Sequence, residues 1–215
     1  MTLQEPSWDQ AREFASKFGK PTATQEVEIS KALDRVIACD AKSLVELPTY
    51  ETSAMDGYAV AGTGPWKIIG EIKAGKPYKE VLNPGEAVGI ATGAVIPEGA
   101  FGILRWELAT VKDDQLSGET TLRKDFRPAG EEAKLNEILI HLGTKLNPGA
   151  IGLLAASGYD KIEVFQKPKV AILLLGDEIQ REGLPKDGLV RDSLGPQLPG
   201  WLSRLGVEVA DIKYV

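Results

Sequence analysis

The sequence predicts a multidomain α+β chain, and three observations carry that prediction. From about residue 46 to 127, glycine and proline recur every few positions with short β-prone pieces between them, the texture of a small β-rich domain. Further on, "VAILLL" at 170–175 is a continuous apolar run, the mark of a strand buried on both faces in a parallel sheet. Outside these regions, apolar residues at helical spacing stand between capping residues and glycine stops.

Taken in order, "SWDQAREFASKF" (7–18) reads as a helix. Ser7 caps it, Gln10 reaches back as in a capping box, and Gly19 with Pro21 ends it. Trp8, Ala11, Phe14 and Ala15 form its apolar face. "EVEIS" reads as a strand and "KALDRVIA" as a short helix running into an extended segment. In the glycine-rich stretch the predicted strands are "GYAVAG", "WKIIGEI", "AVGIATG", "FGILRWELATV" and "GETTLR". Asn147 and Pro148 open a second helix that Gly158 closes, and "KIEVFQ" is a strand. After "VAILLL" come a helix over about 197–205, with Leu198, Leu202 and Leu205, and a strand "VEVADIKYV", together one βαβ unit. Two strands cannot bury their own faces, so either the chain is a fragment of a longer protein, the favoured reading, or the unit docks elsewhere.

Composition narrows the chemistry. The chain has 215 residues, 43% hydrophobic and 26% charged, with a formal net charge of −6. That balance argues against general binding to nucleic acid or anionic membranes. One cysteine, Cys39, and one histidine, His141, leave no intrachain disulfide and no Cys/His zinc site. A serine triad would need His141, which lies in the strand-like "ILIHLGTKL". No apolar run reaches the ~18 residues that span a membrane, and "MTLQEPSWDQ" has no basic-then-apolar signal pattern. The expected compartment is the cytoplasm.

Candidate site residues come from acids and hydroxyls in tight turns. Asp56 in "PTYETSAMDGYAV" precedes Gly57, a favoured hairpin pair, so a turn and a site both fit it. Thr92 lies in the glycine-assisted "ATGA" and Glu131 and Glu132 in a Gly-Glu-Glu turn, where the alternatives are turn chemistry and a solvated charge pair. Asp177 and Glu178 follow the predicted parallel strand, and ligands of open parallel sheets sit at the carboxyl ends of strands. Asp192 and Ser193 precede a helix and fit helix capping as well as a site.

Four stretches together resemble the MoeA family of molybdopterin molybdenumtransferases, which includes the C-terminal domain of gephyrin. They are "LPTYETSAMDGYAV", "IATGAVIPEGA", "RPAGEEAKLNEILIHLGTKLNPGAIGLLAASGYDKIEVFQKPKVAIL" and "LLLGDEI…DGLVRDSLGPQL", in the family's order and over nearly the whole chain. The resemblance implies an elongated, discontinuous domain (1–45 with 128–166), an inserted β-rich domain (46–127), and the truncated start of an α/β molybdopterin-binding-like domain (167–215). It implies Mg²⁺-dependent insertion of molybdate into adenylylated molybdopterin with release of AMP, and a homodimer whose active site is shared between subunits. A molybdopterin adenylyltransferase is then the expected upstream partner. Carried over by motif, Asp56, Glu178 and Thr92 are catalytic; Ser53, Gly57, Asp177, Asp192 and Ser193 bind the substrate cofactor; and Asp56, Glu132 and Glu178 hold the metal. Three positions depart from the family: Leu175 replaces a threonine, Leu194 an asparagine, and Phe101 stands where an acid is common. Glu132 also stands where an aspartate is usual. A non-catalytic binding or scaffold module is the alternative expectation.

Overall fold

A computed structural model describes residues 5–72 and 75–215, a mixed α/β chain that divides into two compact units. The first holds the described residues up to Asp40 with Ile140–Gly152 and Asp160–Val215; the second holds Ala41–Leu139 and Leu153–Tyr159.

The second unit is built on a six-stranded sheet. Its strands lie side by side in the order Gly102–Arg105, Gly57–Val60, Glu86–Ile90, Trp66–Glu71, Gln115–Ser117 and Thr110–Lys112. Only Trp66–Glu71 and Glu86–Ile90 run parallel; the other pairs are antiparallel. Side chains alternate across a strand, and here both faces are covered. Ala59, Val88, Ile90 and Ile103 go to one core with Leu82 and Phe126. Val60, Ala87, Leu104 and Leu116 go to the other with Trp66. That is why the central strands read as unbroken apolar pairs rather than an alternation. Trp66 is buried because its indole N–H finds the carbonyls of Ala61 and Gly62 at 3.1 and 3.2 Å.

Two of the predicted strands change. "FGILRWELATV" is two strands, Gly102–Arg105 and Thr110–Lys112, parted by a 3₁₀ turn at Trp106–Leu108. "GETTLR" is no strand: Thr121 turns its hydroxyl to the Ile103 carbonyl and to Asp125, and Leu122–Asp125 forms a 3₁₀ turn. Gln115–Ser117 takes the ladder position instead.

In the first unit, Trp8–Ser16 is the expected helix, with Ser7 and Gln10 closing the capping box. None of its residues is fully buried: Trp8 is 82% exposed, while Ala11 and Phe14 are partly covered, Phe14 with its ring against that of Phe18 at 4.9 Å. Thr24–Glu28 pairs antiparallel with Lys161–Phe165 as five matched residues. The helix expected in "KALDRVIA" (31–38) does not form: a single 3₁₀ turn, Ile29–Lys31, ends where that stretch begins. Val36 and Ile37 instead make bridges to Lys145 and Val164, and burial of Ile37 fixes that path. Asn147 caps the helix Pro148–Ala156 by accepting the Ala150 N–H at 2.8 Å.

The βαβ unit forms: Lys169–Leu174 pairs parallel with Glu208–Tyr214, and Leu194–Arg204 is the crossover helix. The strand is not buried on both faces, however. Ile172 and Leu174 are buried while Leu173 and Leu175 are more than half exposed, because a lone pair of strands with one helix covers a single face. The helix begins at Leu194 rather than near 197 and carries Pro199 inside it.

The tightest constraint lies at Gly57, where a Cβ would fall 2.3 Å from the Leu104 carbonyl oxygen of the neighbouring strand. Gly57→Ala is therefore expected to cost about 1–3 kcal/mol, read as a lower urea midpoint. Gly70→Ala, in the same sheet but with nothing within 4 Å of the new carbon, is expected to change stability by less than about 0.5 kcal/mol.

Candidate active site around Asp56

Asp56 stands one residue before the strand Gly57–Val60, and the strands on either side of that one reach it. Gly57 pairs with Ile90 on one flank and Arg105 on the other. The approach to Asp56 is fixed from within. Ser53 is fully buried; its hydroxyl donates to the Met55 carbonyl at 2.6 Å and accepts the Met55 N–H at 3.3 Å. Its backbone exchanges bonds with Ala94 and Gly93, and Ala54 N–H donates to the Asp125 carbonyl at 2.8 Å. Ser53 is thus occupied in holding the turn. Gly57 allows a close approach, but of a neighbouring strand.

The Asp56 carboxylate is exposed. Its Oδ1 accepts two bonds from Thr92: the backbone N–H at 2.7 Å and the hydroxyl at 3.1 Å. Among the described residues, no protein donor reaches Oδ2. Two residues 36 apart in sequence are brought together as one group, with one oxygen anchored and one available. Thr92 is carried by the turn after Glu86–Ile90, where Gly93 takes φ +79°.

Beneath this turn lies a charge pair that the motifs did not reveal. Arg105 grips Asp125 with two parallel bonds, Nε and Nη2 each 2.7 Å from a carboxylate oxygen. Thr121 adds a third bond at 2.5 Å. Asp125 is 4% exposed. The Arg105 guanidinium, then the Thr121 hydroxyl, hold its carboxyl below the usual range against the opposing effect of burial. The one local signal was an arginine ending the apolar strand "GILR"; its partner lies 20 positions on.

Glu131 and Glu132 are exposed, and each faces Arg127 at the outer limit of an ion pair, 3.8 and 3.9 Å. Such pairs contribute little to stability and leave the carboxylates open to other partners.

The remaining candidates belong to the first unit. Asp177 and Glu178 are exposed past the carboxyl end of Lys169–Leu174, where the sheet rule put them. Asp192 is 9% exposed and wholly engaged. Its Oδ1 accepts the N–H groups of Leu194 and Gly195 at 3.0 and 2.9 Å, and its Oδ2 accepts the Tyr214 hydroxyl at 2.7 Å. These bonds, the Gly195 one foremost, lower its pKa, and the negative end they make suits a helix N-terminus. Gly195 has no room for a Cβ, which would lie 2.2 Å from Oδ2. Ser193 is exposed and makes no side-chain cap. Among the described residues, no three His, Cys, Asp or Glu side chains gather as a metal site.

The Asp125 pair has a pH signature. A depressed folded pKa contributes stability above the unfolded value of about 3.9, and that contribution fades as pH falls through the folded value. Asp125→Asn is expected to lose about 2 kcal/mol at pH 7 by urea unfolding, with the gap to the parent protein closing toward about pH 2.

Residues 6–158 match the family described as MoeA N-terminal region (domain I and II). The chain is 31% identical over 204 residues to a molybdopterin molybdenumtransferase of Staphylococcus aureus, covering 87% of this chain and 48% of that protein. It is 31% identical over 214 residues to that of Haemophilus influenzae, covering 95% and 53%. Two solved structures of a molybdopterin biosynthesis moeA protein from Pyrococcus horikoshii superpose with TM-scores of 0.81 and 0.79 at 26% and 29% identity. They cover 90% and 96% of this chain and 55% and 56% of theirs. The chain thus spans about half the length of the relatives it matches. By the match over most of its length, the chain belongs to the MoeA family and carries that family's N-terminal region.

Proposed function

We propose that this chain serves molybdenum cofactor biosynthesis as the N-terminal part of a molybdopterin molybdenumtransferase. The reaction inserts molybdate into the dithiolene of adenylylated molybdopterin and releases AMP. The observation that carries the proposal is the state of Asp56: exposed, positioned through Oδ1 by two donors of Thr92, with Oδ2 unengaged among the described residues. A carboxylate kept only to close a turn needs no second anchor from a residue 36 positions away.

Mg²⁺ fits this donor set in one limited sense. It is a hard ion that keeps several waters and takes one or two carboxylates beside substrate phosphates, and no larger protein cage is present among the described residues. Asp56, with Glu132 and Glu178, would hold it, and the ion would supply charge neutralisation at the phosphoryl group. The chain's own contribution is to keep the Asp56 carboxylate oriented. Thr92 prevents its rotation, and the Ser53 turn fixes its backbone. The three-domain division, a homodimeric active site that adds Glu178 and Asp177 to Asp56, supply of substrate by a molybdopterin adenylyltransferase, and a cytoplasmic setting are part of the same proposal. Among the described residues, no helix is long and apolar enough to cross a membrane.

The assay is AMP release from adenylylated molybdopterin with molybdate and Mg²⁺ by the full-length protein. Asp56→Ala is expected to lower the rate about 100-fold or more. Thr92→Val, which keeps the backbone N–H and loses the hydroxyl, is expected to cost about tenfold. An unchanged rate in Asp56→Ala contradicts the proposal.

A further inference from the structure

The chain carries a net charge of −6, yet one crevice of the first unit has the opposite character. Lys20, Arg35, Lys145, Lys167 and Arg204 line it, with Asp34 as the sole acid, five positive groups against one negative. Its volume is about 610 Å³, within the range of small-molecule sites. The cations come from five separate stretches of sequence that the fold draws together.

Their engagement differs. Lys145 is paired with Asp34 at 2.8 Å, at an exposed position. The Arg35 guanidinium is fixed, donating from Nη2 to the Phe165 carbonyl at 2.8 Å. Among the described residues, Lys20, Lys167 and Arg204 make no ion pair with a carboxylate. Like charges gathered in a concave wall repel one another and focus a positive potential into the space between them. An incoming anion relieves both. Phe165, Pro168 and Leu205 give the lining an apolar part, and Leu205 is largely exposed there. A bare inorganic ion would leave that surface wet, whereas a ligand with a ring or hydrocarbon body would cover it.

We propose that this crevice binds a small organic polyanion, a molecule with several phosphate groups on an aromatic or apolar body. The site shares no residue with Asp56 and Thr92 and stands or falls apart from the reaction proposed above. A concave space of this volume favours a small molecule over an acidic peptide laid across a flat surface.

The test is calorimetric titration of the full chain without divalent metal, using ATP, tripolyphosphate, adenosine and a polyglutamate peptide as probes. ATP is expected to bind saturably, tripolyphosphate more weakly, and adenosine not measurably. The double variant Lys167→Glu/Arg204→Glu, both exposed positions, is expected to weaken ATP binding about tenfold or more. Lys112→Glu, on an exposed strand of the other unit, is expected to leave binding unchanged. Circular dichroism confirms that each variant is folded. The proposal is overturned if no probe binds saturably, if the double variant binds ATP like Lys112→Glu, if tripolyphosphate binds as tightly as ATP, or if polyglutamate binds more tightly than ATP.

Discussion

At Gly57 two backbones lie too close for any side chain, and the geometry of the Asp56 site depends on that approach. The strand Gly57–Val60 sits between Glu86–Ile90 and Gly102–Arg105. Its pairing registers decide what stands beside Asp56, one residue earlier in the chain. One flank leads to Thr92 and the other to Arg105. A Cβ at position 57 would strike the Leu104 carbonyl and push these flanks apart. The same registers send Ala59 and Val60 to opposite cores, so the apolar packing that stabilises the sheet also locks the site's frame.

Three aspartates show what that frame does with charge. Asp125 and Asp192 are buried, and each has both oxygens bonded, by Arg105 and Thr121 in one case and by two helix N–H groups and Tyr214 in the other. Burial is costly for an ionised group, and full engagement offsets it. Asp56 is exposed and bonded through one oxygen. A structural carboxylate and an available one therefore differ in which oxygens are taken, and Asp56 is of the available kind. Asp192, with both oxygens engaged, is held as a helix cap.

Local chemistry was legible in the sequence. The Ser7–Gln10 capping box, the Asn147 cap and the strands in "GYAV" and "KIEVF" depend on neighbours a few residues apart, and each forms as read. Features set by distant partners were not. "VAILLL" has the apolarity of a doubly buried strand, but burial depends on how many strands and helices surround it. Arg105 and Asp125 are ordinary charged residues until the sheet brings them together. "GETTLR" has β-prone threonines, yet a buried carboxylate claims the Thr121 hydroxyl. The pairing of Asp56 with Thr92 likewise follows from the register between two strands, although each residue could be singled out by its motif.

Thr92 acts through Asp56 if the two form one group, and a double-mutant cycle on kcat/KM for AMP release tests that claim most directly. The account predicts strong non-additivity: once Asp56→Ala is present, Thr92→Val costs less than about twofold further, because the hydroxyl has lost the oxygen it positions. Full additivity, with Thr92→Val costing as much in the Asp56→Ala background as alone, would contradict it.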